Sequence, residues 1–252
     1  MLNALSIILP LVLAILIASR FRTKLNSRDS GILVVSFLMA TLTVIPAIMI
    51  RKTAEELGFK LETSYSTVNN ILFTNLGIAF FSAFIDELNK YIVIVAYAYR
   101  RKEFDEPLAG ILVAVMIALG FTLSQNLFFI FREDSNYLNT WRMFSSIPFS
   151  ICFAIILGFN AGMSKYGLDS DDLSSFGLRM KGLFLAVLYH AFYDFFLFVE
   201  DYGSVSFILT VVILVLLGQV ALSLFRARRL HVRLMYSRSR RNKQSMDSPF
   251  SS

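Results

Sequence analysis

Residues 107–131 read PLAGILVAVMIALGFTLSQNLFFIF, and this stretch decides the fold. It contains no Asp, Glu, Lys or Arg. A helix of this length reaches about 37 Å at 1.5 Å per residue, enough to cross a hydrocarbon core of about 30 Å. Lipid cannot satisfy an open backbone, so the block is a helix and not a lone strand. Comparable apolar blocks occupy residues 2–19, 31–50, 67–99, 143–164, 181–199 and 204–225. The sequence therefore predicts an all-α, polytopic membrane bundle of seven transmembrane helices over residues 1–225.

Composition agrees. Of the 252 residues, 56% are hydrophobic and 25 are Phe, with a mean hydropathy of +0.63. Soluble domains sit nearer 45–50% apolar. The gaps between blocks carry charges and turn formers, as at Asn26-Ser27-Arg28-Asp29, Glu133-Asp134-Ser135-Asn136 and Glu200-Asp201-Tyr202-Gly203. Residues 51–66 read as a short amphipathic external segment, and 226–252 as a basic, disordered tail. The single cysteine, Cys152, has no partner for a disulfide and reads as packing.

Seven spans alternate the loops between two faces, and the basic residues choose between them. Eighteen of the 24 Lys and Arg fall on one face and five on the other, with Lys90 inside a span. The positive-inside rule then predicts a cytoplasmic C-terminus and an external N-terminus. The first block lacks a positive lead and is followed by Arg20, Arg22, Lys24 and Arg28, the pattern of a retained anchor. The net charge of +6 gathers in the tail. That points to anionic lipid headgroups of the bilayer and away from nucleic acid.

Ionisable side chains inside spans carry the functional reading. Asp86, Glu87 and Lys90 lie in the third block, where even on the mildest scale a central charge costs about 2.5–3.5 kcal/mol. Lys90 can meet either acid, at i,i+4 or i,i+3. His190 and Asp194, i,i+4 in the sixth block, share a face, and a carboxylate beside an imidazole suits a metal ligand or general base. Gln125, Asn126 and Ser150 add polar groups to the fourth and fifth. Glu87 lies ~20 Å, Gln125 ~27 Å, Ser150 ~22 Å and His190 ~14 Å from the inner ends of their spans, so they can form one layer. Structural alternatives stand beside this: an ion pair locking helices, polar helix contacts, a capping role for Asp105 and Glu106 before Pro107, and a proton or ion relay in a small transporter.

Five segments give a family resemblance: Asp86-Glu87-Leu88-Asn89-Lys90, Phe104-Asp105-Glu106-Pro107, Gly120-Phe121-Thr122-Leu123-Ser124-Gln125-Asn126, Pro148-Phe149-Ser150 and His190-Ala191-Phe192-Tyr193-Asp194. In order and spacing, over roughly residues 1–225, the chain resembles PrsW-type intramembrane metalloproteases, distant relatives of the CAAX-processing and Abi membrane proteases. The resemblance implies a bacterial cell-membrane enzyme that hydrolyses membrane-tethered proteins, such as single-span proteins, with a zinc ion and a Glu general base. Glu87 then matches the second motif Glu, and His190 the last histidine. It implies catalytic residues Glu87, Asp86 and Lys90, metal positions His190, Glu87, Gln125 and Ser150, and support from Asp194 and Asn126.

The departures are as informative. The family has Glu where this chain has Gln125, His where it has Ser150, and Glu where it has Asp86. Gln and Ser are poor zinc ligands. His231 falls in the predicted tail, beyond reach of the layer. The resemblance therefore implies an impaired catalyst: a natural non-catalytic relative, an inactivated variant, or an altered site built from Asp86, Glu87, Asp194 and His190. A non-enzymatic pseudoprotease that captures membrane proteins is the alternative function.

Overall fold

A computed structural model describes residues 2–22, 30–57, 68–131, 137–166, 172–198 and 202–247. The described residues form seven α-helices: α1 Leu2–Arg22, α2 Ser30–Glu56, α3 Val68–Ala96, α4 Pro107–Phe131, α5 Tyr137–Tyr166, α6 Asp172–Phe198 and α7 Tyr202–Asp247. A single 3-10 turn, Ala98–Arg100, follows α3. No strand occurs among the described residues, and a polytopic helical bundle is the result.

The stretch that decided the fold is also the centre of it. α4 is apolar on every side, and such a helix belongs inside a bundle. Each side chain from Ile111 to Leu123, and Gly120 among them, is buried. Helices α5, α2 and α1 pack around α4, while α3 lies mainly against α6 and α2. The outer helices turn large apolar side chains away from the bundle, including Ile15 and Leu16 on α1, Leu38, Leu42 and Ile45 on α2, and Leu214 and Val215 on α7. In water this much exposed apolar surface would drive association; against acyl chains it is solvated.

Among the described residues, four segments are long and apolar enough to cross a membrane on length and composition alone: 31–56, 107–131, 143–166 and 211–237. α1 supplies a shorter apolar run, Leu5–Arg20. α3 misses that standard because Asp86, Glu87 and Lys90 fall together in its described part, and α6 because Arg179 and Lys181 stand near its start with Asp194 further along.

Two boundaries differ from the sequence expectation. α2 continues as helix to Glu56, through part of the segment expected to be external, and residues 58–67 lie outside the described residues. The tail over 226–252, expected to be disordered, is helical as far as Asp247. Arg, Leu, Lys, Met and Gln dominate it and are good helix formers, and neither Gly nor Pro interrupts 219–247. His231 on this extension also meets the Glu106 carboxylate at 2.9 Å, tying it to the start of α4.

Close backbone contact joins α4 to α5. A Cβ added at Gly158 would collide with the Gly110 carbonyl and come within 2.6 Å of the Ala114 Cβ; one at Gly162 would meet the Pro107 Cα at 2.6 Å. Small residues permit such approach where apolar helices gain no hydrophobic drive from lipid. The contact sets the distance between the helices carrying Gln125 and Ser150. Gly158→Ala is expected to destabilise the protein by about 1–3 kcal/mol through overpacking. Gly177→Ala, where nothing lies within 4 Å, should instead stabilise by about 0.5–1 kcal/mol through helix propensity. Thermal unfolding in detergent micelles checks both signs; equal midpoints would refute the close-packing assignment.

Candidate active site

The site begins with three buried charges on one turn of α3. Asp86, Glu87 and Lys90 are each 3% exposed or less. Of the two pairings the sequence allows, the structure uses i,i+3: Lys90 Nζ donates to Glu87 Oε1 at 2.7 Å. The Phe121 ring lies 5.1 Å from the same ammonium, and its π face adds a cation-π attraction in a dry setting.

Asp86 points elsewhere. Successive residues on a helix are about 100° apart, so the neighbour of Glu87 faces α2 and α4. Its carboxylate accepts from the Arg51 guanidinium and, at 2.8 Å, from the Gln125 side-chain amide. Arg51 also donates to the Ser82 hydroxyl at 3.1 Å. The sequence reading missed Arg51, which sits at the end of an apolar block where basic residues ordinarily mark a membrane edge.

His190 completes the cluster from α6. Its Nδ1 lies 2.8 Å from Glu87 Oε1. As a carboxylate that already accepts from Lys90, Glu87 can only accept again, so Nδ1 is the donor in this contact and Nε2 faces away from it. Nε2 stands 3.7 Å from Asp194 Oδ2, too far for a hydrogen bond. Phe153 stacks on the imidazole with ring centroids 5.0 Å apart, setting the ring plane.

Asp86, Gln125, Ser150, Phe153, His190 and Asp194 line a common cavity of about 30 Å³, roughly the space of one water molecule. Of the layer expected from helix depths, Gln125, Ser150 and His190 line this cavity, and α3 contributes Asp86 to it where Glu87 was expected. Glu87 stands behind His190, and its Oε2 is buried with no hydrogen-bond partner among the described residues. Asn126 also reaches the wall, yet its amide donates to the carbonyls of Ser6 at 3.0 Å and Met143 at 3.3 Å. It clamps α1 and α5 onto α4. Tyr193, which the sequence reading did not single out, places its hydroxyl 2.5 Å from that of Ser145 and packs against Phe149.

A wider apolar groove of about 670 Å³ runs along the same two helices that carry Asp86 and His190. Leu76, Phe80 and Phe84 of α3 and Leu188 and Phe192 of α6 form its walls.

The donor set does not fit a zinc ion. Such a site needs about three good protein ligands and an open position. Among the described residues no group of three or more His, Cys, Asp and Glu side chains is placed to hold a metal. His190 Nε2 is one suitable donor. Asp86 is neutralised by Arg51. Gln125 turns its amide NH₂ toward Asp86, and the Ser150 hydroxyl accepts from Thr122 Oγ1 at 3.0 Å.

Comparison with known proteins agrees with the architecture. The model of the family described as PrsW family intramembrane metalloprotease matches residues 29–218. A Protease PrsW from Clostridioides difficile is 26% identical over 62% of this chain and 63% of its own length. Another from Geobacillus kaustophilus is 26% identical over 48% of this chain and 51% of its own. One from Halalkalibacterium halodurans is 24% identical over 72% and 77% respectively. The chain thus spans about half to two thirds of the first two of these relatives. No solved structure matches it.

The buried pair makes a measurable prediction. Glu87→Gln leaves the Lys90 ammonium without its counter-charge and should cost about 3–5 kcal/mol. Adding Lys90→Met should recover much of that loss. Unfolding of the two variants in detergent measures it; a double variant no more stable than the single would show that Glu87 supports His190 and not Lys90.

Proposed function

The chain belongs to the PrsW family of intramembrane metalloproteases, and we propose that it is a member with impaired catalysis. The observation that carries this reading is the state of two cavity-wall positions. Gln125 is committed to Asp86, and Ser150 to Thr122. Neither supplies the charged or imidazole ligand that metal-assisted peptide hydrolysis requires. Glu87, the candidate general base, is held by Lys90 and His190, behind the cavity wall.

The family description supports metal use in general, and zinc is the ion that a restored donor set would take. His190 would be its firmest ligand, with Asp86 or Glu87 beside it. The substrate class is membrane-tethered protein, a single-span protein being the simplest case. Residues 1–225 form the membrane bundle, with the N-terminus outside and the C-terminus cytoplasmic, in a bacterial cell membrane. The basic tail rests on anionic headgroups.

A second reading is a pseudoprotease that binds such segments without cutting them. The apolar groove between α3 and α6 favours it, since an apolar transmembrane segment is the kind of chain that fits a long lipid-level groove.

Metal content of the purified protein tests the proposal. The wild type is expected to hold only traces of zinc. Gln125→Glu combined with Ser150→His should raise that to near one ion per chain, as a completed ligand set predicts. Stoichiometric zinc in the wild type, lost in His190→Ala, would overturn the impaired reading. A double variant that stays folded but takes up no zinc would count against the layer as a protease scaffold.

A further inference from the structure

Where α5, α6 and α7 converge, away from the candidate active site, lies a second cavity of about 310 Å³. Lys181 of α6 and Arg226, Arg229 and Arg233 of α7 line it, together with Phe159 and Leu230. The three arginines recur at i, i+3 and i+7, which puts them on one face of the helix. All four cationic side chains are exposed. None of them makes an ion pair with a carboxylate among the described residues. Like charges on one face repel mildly, and an anion bound among them would relieve that repulsion.

The position in the chain says where that anion comes from. Arg226 is the first charged residue after the apolar run 204–225, and Lys181 directly precedes the apolar run 182–198. Both therefore mark the rim of the hydrocarbon layer. Guanidinium groups suit phosphate because their planar donors can bind two oxygens at once. The volume lies at the small end of the range for ligand pockets, and Phe159 and Leu230 give it apolar walls at the depth where acyl chains begin.

We propose that this cavity is a discrete binding site for one anionic glycerophospholipid, its phosphate held by Arg226, Arg229, Arg233 and Lys181 and its acyl stem against Phe159 and Leu230. The proposal rests on the reading of the basic tail as lying at an anionic membrane face and sharpens it, from diffuse attraction to a built site. It does not depend on whether the protein cleaves anything.

Native mass spectrometry of the full chain in detergent, titrated with phosphatidylglycerol, phosphatidylcholine or inorganic phosphate, tests it. Phosphatidylglycerol should give a saturable single adduct that phosphatidylcholine and phosphate do not give at equal concentration. The triple variant R226Q/R229Q/R233Q should weaken that adduct roughly tenfold or more, since each basic residue near an anionic surface contributes separately. The equally charged-down R238Q/R240Q/R241Q should leave it intact. Gln is also a good helix former, and size exclusion of both variants verifies the fold. Equal losses in the two triple variants would overturn the discrete site while keeping the tail at the membrane. Indifference of the wild type between the two lipids would overturn both ideas. Saturation by inorganic phosphate alone would overturn the lipid assignment in favour of a soluble anion.

Discussion

A charge buried at membrane depth must find its counter-charge within the protein, and this constraint organises the bundle. Glu87 and Lys90 are both within 2% of complete burial. Neither could remain there alone, because the loss of hydration is offset only by an opposite charge at hydrogen-bond distance. Their pairing draws α6 inward through His190 and rests against α4 through Phe121. Asp86 makes the same demand one residue earlier and is answered by α2 and α4. Two adjacent acids on α3 thus recruit three other helices. The polar layer and the helix packing are one arrangement seen from two sides.

The fold and much of the site were legible for physical reasons. A run such as 107–131 has few alternatives once its length and lack of charge are set beside the thickness of a bilayer. Helical rise is regular, so depths along separate helices could be compared; of the four residues compared, Gln125, Ser150 and His190 share one cavity, while Glu87 stands behind it in contact with His190. The choice between Asp86 and Glu87 as the partner of Lys90 was not legible, because i,i+3 and i,i+4 are both within reach. Arg51 was missed because its role depends on how α2 leans on α3, which no local pattern encodes. The helical extension beyond residue 225 was missed for the opposite reason. Charge and polarity were read as disorder there, while the same Arg-rich sequence has high helix propensity and a docking contact between His231 and Glu106.

The core of the bundle and its site share a rigid frame. Backbone contact between α4 and α5 at Gly110, Gly158 and Gly162 leaves little room for either helix to slide. Gln125 and Ser150 ride on that frame, and Asn126 ties a third helix to it. By contrast, α3 and α6 meet through side chains, with an open apolar groove along their seam. α6 is itself held close to α5, where a Cβ at Gly182 would meet the Asn160 Cβ at 2.7 Å, so the open seam lies between α3 and α6 alone.

The Arg51 contact with Asp86 carries a thermodynamic consequence. A carboxylate awaiting a cation captures it outright, but this one already has a tethered occupant. Any mobile cation that approaches Asp86 must enter by exchange, displacing a guanidinium whose effective concentration is set by its own helix. Affinity at this position is then a ratio of two bindings, and the position of α2 becomes one of its variables.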